Sequence, residues 1–487
     1  MPSFLPRSTP ASQGVDPVAI LSFLDALNER PGIEMHSLMV LRHGHVVAEG
    51  WWAPYSAERP QLLYSLSKSF TSTAAAFAQA EGLLELDDTV ISHFPEFAAD
   101  ITDPRSRSMK VRHVASMASG HTRETLGDAL AHDPDEPVRG FLLTPPDLDP
   151  GTVFAYNQPC TYTLGSIVQR NAGMPLTRYL RPRLFDPLGI GHVGWHTFPP
   201  GREQGFIGLH ARTEDIAKLG LLYLQQGRWE GTQLISREWV AEATSPRVSN
   251  SQNTLPDWQQ GYGFQFWMSR HGYRGDGAFG QFCVVLPEQD SVIVTTACTL
   301  EMQVMLDSMW THLLPGLGVV PSGDGSAHDK LSARLAGLSL PACDGAPAPG
   351  DWGPWTSGPF AVADSRKDDT AAGPLVPSAA TFVTSIEVAQ RAGGWQISLI
   401  ESGNTLTVPV GNGGWTVCEP EDRHGDIIPV ASSGGWLDDQ TLRAEVIFLE
   451  TPHRVDITCS LPGRTAKAVW RLPLITPSKL QDLHCPS

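Results

Sequence analysis

Tyr64-Ser65-Leu66-Ser67-Lys68-Ser69-Phe70 runs directly into Thr71-Ser72-Thr73-Ala74-Ala75-Ala76-Phe77-Ala78-Gln79-Ala80, and Gly82 follows. The alanine-rich part predicts a helix that stops at Gly82. Ser65 then stands near a helix start with Lys68 one turn on. Residues three apart share a helix face, so hydroxyl and amine can meet. A serine hydroxyl is a poor nucleophile until a base takes its proton. Burial and the positive end of a helix both disfavour an ammonium, which is how a lysine can act as that base. The free N–H groups of the same helix end can receive an oxyanion. Ser-x-x-Lys alone is a common pattern, and a serine near a helix start is often only a cap. Among the lysines of this chain, however, only Lys68 has serine three residues before it.

Outward from that stretch, the chain of 487 residues is too long for one ordinary core, so two or three domains are expected. A hydrophobic share of 41% with 18% charged residues fits a folded chain, and a net charge of -17 argues against a nucleic-acid partner. Met1-Pro2-Ser3-Phe4-Leu5-Pro6-Arg7 lacks the apolar core of a signal peptide, and no apolar run reaches membrane-spanning length. The seven cysteines are scattered without Cys-x-x-Cys, which fits reduced thiols and a cytoplasmic location. His-Glu-x-x-His, the phosphate-binding Gly-x-x-x-x-Gly-Lys and the Gly-x-Ser-x-Gly elbow are missing from the sequence. The pairs His43/His45 and His192/His196 read as turn or surface residues, so neither a metal nor an organic cofactor is expected.

In chain order, residues 16–29 predict a helix, with Ile20, Phe23, Leu24 and Leu27 on one side. Two apolar runs around His43-Gly44-His45 predict a β-hairpin. Residues 96–200 read as short helices and loops, including a helix from Cys160 to Gln169. Helices are expected at 213–225 and 236–243, then strands at 261–267, 282–286 and 292–296, and a closing helix at 302–317. Residues 318–354 are proline- and loop-rich and read as the boundary. Beyond it, Trp395, Ile397 and Leu399, then Leu442, Ala444, Val446 and Phe448, then Val455, Ile457 and Cys459 alternate with polar residues, the period of strands. The expected domains are a catalytic one at 1–320 with an all-α subdomain at about 96–200, a linker at 321–349, and a C-terminal β-barrel or β-sandwich at 350–487.

Three segments together resemble the penicillin-binding-protein-like serine hydrolases, the superfamily of class C β-lactamases, D-aminopeptidases and related esterases. They are Ser65-Leu66-Ser67-Lys68, then Tyr156-Asn157-Gln158 at the place of the Tyr-x-Asn motif, then Gly275-Asp276-Gly277 at the place of Lys-Thr-Gly or His-x-Gly. Met117-Ala118-Ser119-Gly120 and the closing strands add to the likeness, which covers roughly residues 10–315. The resemblance implies an α/β (α+β) fold: an antiparallel sheet flanked by helices, with an all-α subdomain and, after it, the C-terminal all-β domain. It implies that Ser65 is the acylated nucleophile, that Lys68 and Tyr156 share general-base duty, and that the backbone N–H groups of Ser65 and Ala278 form the oxyanion hole. Asn157, Gln158 and Gly277 would line the substrate site.

Two departures carry weight. Gln158 stands where the motif has asparagine, and Gly275 stands where relatives place the lysine or histidine that holds a substrate carboxylate. Penicillin hydrolysis is therefore not the expected main activity; Gly-x-Gly-x-x-Gly-Gln looks instead like the third motif of family esterases and amide hydrolases. Arg274 and Asp276 read either as substrate contacts or as solvated loop charges. The expected function is an esterase or amidase acting on a small ester or amide. An acyltransferase using an amine or alcohol acceptor is the first alternative, and a non-catalytic binding protein on the same scaffold the second.

Overall fold

The apolar runs on either side of His43-Gly44-His45 form strands β1 (Ile33–Arg42) and β2 (His45–Trp51) in the computed structural model, which describes residues 4–319, 325–363, 365–366, 378–422 and 424–486. Four later strands complete a sheet: β3 (Trp267–Met268), β4 (Tyr273–Gly277), β5 (Gln281–Leu286) and β6 (Ser291–Thr299). Its order is β2-β1-β6-β5-β4-β3. The longest pairing is antiparallel, from Ile33 opposite Thr299 to Arg42 opposite Ser291, with a register shift between Met35 and Ser37. Every residue of β5 and β6 is buried, so these read as continuous apolar runs rather than alternations. Helices α1 (Pro17–Asn28), α2 (Ser67–Ala80), α3 (Gln158–Ala172) and α4 (Thr213–Leu224) belong to the same unit. Asp16 caps α1 by accepting from the Val18 N–H at 2.9 Å. Short helices fill the stretch from Pro104 to Leu143 ahead of α3.

Helix α2 is buried along nearly its whole length although it is rich in hydroxyls. The hydroxyls make this possible because each finds a partner. Ser69 donates to the Gln265 carbonyl (3.0 Å), Thr71 to that of Gly205 (2.7 Å) and Ser72 to that of Phe264 (2.7 Å). Ser67 accepts from the Leu209 N–H at 3.1 Å. The helix is thus tied to loops on several sides, and satisfied polar groups can be buried at little cost.

Those ties explain one difference from the sequence reading. The strand expected at 261–267 is a loop until Trp267. Gly261 and Gln265 have positive φ (105° and 63°), and the carbonyls of Phe264 and Gln265 turn to the α2 hydroxyls instead of a strand neighbour. A second difference lies in the segment read as loop-rich, which contains the helix Ser326–Ala336 with Leu331 buried. A third is the closing helix, regular only over Met302–Ser308 before looser turns carry it to Gly316.

The chain divides into two compact units, one chiefly Met1–Gly50 and Leu62–Gly337, the other Trp51–Gln61 and Leu338–Cys485. The second is all β: an antiparallel path runs through Asn404–Val410, Gly394–Glu401 and Ser385–Arg391, and through Thr465–Leu474, Arg454–Ser460, Thr441–Phe448 and Val430–Asp438. The sheet curls almost to closure, since the Gly434 N–H donates to the Gly411 carbonyl at 2.9 Å. Trp355, Trp395, Ile397, Leu399 and Trp436 fill its interior.

Candidate active site

The turn Tyr64–Leu66 leads into α2, so Ser65 sits just ahead of the regular helix and Lys68 in its first turn. Ser65 is half-buried, whereas Lys68 is 1% exposed. The Lys68 Nζ donates to Ser65 Oγ at 2.9 Å and to the Phe206 carbonyl at 2.8 Å. Neither partner is charged. Burial therefore dominates and brings the amine down to about 7, against the opposing pull of the Asp276 and Glu124 carboxylates and of Cys160. The amine thus loses its proton close to neutral pH.

Tyr156 lies immediately before α3, with its ring centroid 4.8 Å from the Lys68 Nζ and 5.2 Å from that of Trp267. Burial pushes its phenol well above the ordinary tyrosine range, and the Asp276 charge pushes the same way; the nearby Ser65 hydroxyl and Trp267 act against them. The resemblance implied that this phenol would share general-base duty with Lys68, which needs it ionised. In the structure burial wins, and Tyr156 is a protonated phenol at neutral pH.

Asn157 is fully buried, and its Oδ1 accepts from the Thr125 N–H (2.8 Å) and hydroxyl (3.0 Å). It braces the loop opposite through Oδ1, while its Nδ2 is buried without an acceptor. Gln158, half-buried, begins α3; its N–H points to Glu124 Oε1 at 3.4 Å, and its own Oε1 is buried without a donor. Gly277 ends β4 where that strand meets the Ser65 turn: a Cβ there would lie 2.1 Å from the Leu63 carbonyl oxygen and 3.2 Å from the Leu66 nitrogen. Only glycine permits that approach, and Ala278, the next residue, is half-buried like Ser65. Gly275 obeys the same constraint, since a Cβ would come within 2.2 Å of Leu66 Cδ1 and 2.9 Å of Ser69 Oγ. A side chain at Gly275 would need the ends of Leu66 and Ser69 to move.

Other parts of the site were not legible in advance. Arg274 and Asp276 are not solvated loop charges: both are buried, and Arg274 Nε donates to Asp276 Oδ2 at 2.9 Å. Gln265 joins three elements. Its Nε2 donates to the carbonyls of Val114 (3.1 Å) and Ala115 (2.8 Å), and its Oε1 accepts from Thr161 of α3 at 2.7 Å. The Phe206 carbonyl that holds Lys68 belongs to a loop carrying no motif. The Cys160 thiol, one turn along α3, is pushed up to about 12 by burial. Among the described residues no cluster of three or more His, Cys, Asp or Glu could hold a metal ion, and no helix is long and apolar enough to cross a membrane.

The family described as Beta-lactamase matches residues 22–311, more than half of the chain. The chain belongs to this family. That membership makes it a serine hydrolase with the β-lactamase fold. Among curated proteins it is similar to the 6-aminohexanoate-dimer hydrolase of Paenarthrobacter ureafaciens, 28% identical over 302 residues, which are 56% of this chain and 76% of that protein. It is also similar to the esterase EstB of Burkholderia gladioli, 25% identical over 221 residues, 40% of this chain and 56% of the relative. The chain spans about half the length of other curated relatives, such as 46% of the β-lactamase of Yersinia enterocolitica. Among solved structures, EstCE1, a hydrolase with promiscuous acyltransferase activity, superposes with a TM-score of 0.50 at 19% identity, covering 60% of this chain and 98% of that one. At that identity the likeness speaks to the fold alone.

Proposed function

We propose that the chain is an esterase or amidase that works through an acyl-enzyme on Ser65. The observation that carries this is the 2.9 Å contact between Ser65 Oγ and a buried lysine amine that gives up its proton near pH 7. One Lys68 N–H stays on the Phe206 carbonyl, which leaves the lone pair of the neutral amine to face the Ser65 hydroxyl. As Ser65 Oγ bonds to the substrate carbonyl carbon, its proton passes to Lys68 Nζ. The carbonyl oxygen becomes an oxyanion, for which the N–H groups of Ser65 and Ala278 are the donors; the close approach of Gly277 to the Leu63–Leu66 backbone supports this. Tyr156, protonated and beside Ser65, donates to the departing alkoxide or amine and recovers a proton from the Lys68 ammonium. Water then repeats the attack on the acyl-Ser65 ester, with Lys68 again as base. Asn157 takes no part in the chemistry and positions the loop at Thr125.

The geometry speaks against a non-catalytic binding role, because a buried amine without an ionic partner lowers stability and has a purpose only if its proton is used. The test is labelling with a fluorophosphonate, read by intact mass on wild type and Ser65→Ala. A single adduct on wild type that vanishes in Ser65→Ala supports the assignment. An adduct that survives in Ser65→Ala, or none on either protein, overturns it.

A further inference from the structure

The donors and acceptors around Ser65 do not balance. Gly275 carries no side chain, and Leu66 and Ser69 fill the space beside it. The neighbouring residue supplies no cation either, because the Arg274 side chain is 0% exposed. Its guanidinium donates to the Asp257 carbonyl (2.8 Å), the Ser269 hydroxyl (2.6 Å) and Asp276 Oδ2, and lies 4.4 Å over the Trp258 ring. A group with no exposed atom cannot reach a ligand.

Asp276 is different. It is 8% exposed, and among the described residues its carboxylate accepts one hydrogen bond, from Arg274 at Oδ2, with none at Oδ1. It lies on β4 between Gly275 and Gly277, which pack against Leu63, Leu66 and Ser69 around Ser65, and its charge bears on both Lys68 and Tyr156. The Gln158 amide oxygen is also buried without a donor. Glu124 adds a second negative charge within reach of Lys68. The cleft around Ser65 thus holds two carboxylates whose charge bears on Lys68, one of them paired with the buried Arg274 through a single oxygen; the unmatched donors Asn157 Nδ2 and Arg274 Nη2 are buried, and Lys68 loses its own charge near neutral pH. A substrate carboxylate would meet like charge in a partly desolvated site, which is costly, whereas an ammonium would meet an acceptor already lacking a donor.

Resting on the esterase or amidase reading above, we propose that Asp276 is a specificity-determining residue and that the substrate carries an ammonium or other cationic N–H or N-alkyl group, received at Asp276 Oδ1. The site has inverted the charge preference that a third-motif cation would give. Arg274 fixes one oxygen of the carboxylate, and the other is left for the ligand.

The experiment compares esters of matched shape whose remote end is trimethylammonium, tert-butyl or carboxylate. One series carries that end on the acyl chain of a 4-nitrophenyl ester, and a second carries it on the alcohol of an acetate ester. In at least one series wild type should favour the cation over the neutral isostere by about tenfold or more in kcat/KM, with the carboxylate slowest. Within Asp276→Asn the ratio of cationic to neutral ester should fall to about one, whatever the absolute rates, and Asp276→Glu should keep it. Where Asp276→Asn does not fold, the wild-type ratio decides, and it should shrink as salt rises. Equal kcat/KM for the three charges in both series, or an equal loss on all of them in Asp276→Asn, overturns the proposal and leaves Ser65 chemistry standing. No turnover of any ester together with no fluorophosphonate adduct overturns both.

Discussion

Lys68 in the hydrolase unit and Glu445 in the β unit are both charged residues with almost no exposure, 1% and 4%, yet their surroundings differ completely. Lys68 has a hydroxyl and a carbonyl as partners. Glu445 is ringed by Arg443 at 2.9 Å, Arg471 at 3.0 Å and Arg454 at 3.3 Å, and Asp456 takes a further bond from Arg471 at 2.6 Å. A buried charge with counter-charges braces the strands that carry it. One without them is displaced in pKa and available for proton transfer. Backbone strain divides in the same way. Tyr64, immediately before Ser65, and Phe279, immediately after Ala278, both have positive φ (50° and 67°), and their rings meet edge to face at 5.1 Å. Among the described residues of the β unit, only Arg464 shows positive φ outside glycine.

The largest effect that can break this contrast is at Lys68. Lys68→Met should lower kcat/KM by about 10³-fold or more, because the base is gone. The same change should raise stability. The unfolded amine holds its proton up to about 10.5 and the folded one only to about 7. Between those values the unfolded state binds more protons, so wild-type stability climbs with pH and the cost of burial is nearly complete at pH 7. Removing the amine relieves a cost on the order of a few kcal/mol, less the lost bond to Phe206. Urea midpoints at pH 7 check this, and a lower midpoint in Lys68→Met would show that Lys68 is braced like Glu445 after all. In the wild type, kcat/KM should rise tenfold per pH unit below about 7 and level off above it.

Glu445→Gln should do the reverse. Three arginines lose their shared counter-charge, so the β unit should lose about 3 kcal/mol of stability. Turnover per active site, measured well below the transition, should be unchanged. A drop in turnover there would mean that the paired charge serves chemistry too.

Phe279→Ala tests the strain half of the comparison. The Tyr64–Phe279 contact clamps the two segments whose N–H groups are proposed to hold the oxyanion. Loosening it should reduce kcat by about 10-fold to 100-fold with KM little changed, since the loss falls on the transition state. An equal rise in KM would instead place the ring in substrate binding.

The legibility of the sequence follows the same division. Ser65 and Lys68 could be brought together from the sequence because they are one helical turn apart, whereas Tyr156 came only from the resemblance. The β unit could be read where one strand face is buried and the other is not, as in Trp395, Ile397 and Leu399. Gln265 and the Phe206 carbonyl gave no signal, because their roles depend on partners more than a hundred residues away in the chain. Asp276 read as a loop charge because spacing does not show burial. The strand expected at 261–267 failed since its carbonyls were already committed to the hydroxyls of α2, a demand that alternation does not reveal.

The smallest effect probes the point where the β unit departs from its own rule. Glu401 is 3% exposed and has no cationic partner within hydrogen-bond distance; both carboxylate oxygens accept from the Leu480 N–H, at 3.2 and 3.0 Å, and pin the C-terminal turn Leu480–Asp482. Burial raises it from 4.5 to about 7. Below 4.5 the carboxyl is protonated in both states and adds no penalty. Between 4.5 and 7 the folded state binds more protons, so this contribution to stability falls as pH rises and is fully lost above about 7. Glu401→Gln keeps an oxygen for Leu480 and removes the charge. It should match the wild type near pH 4.5 and exceed it by about 1 kcal/mol at pH 8. The difference between the two proteins at each pH isolates Glu401 from every other titrating group. A constant difference across that range would mean that Glu401, like Glu445, is held by its surroundings, and the contrast between the two units would then rest on Lys68 alone.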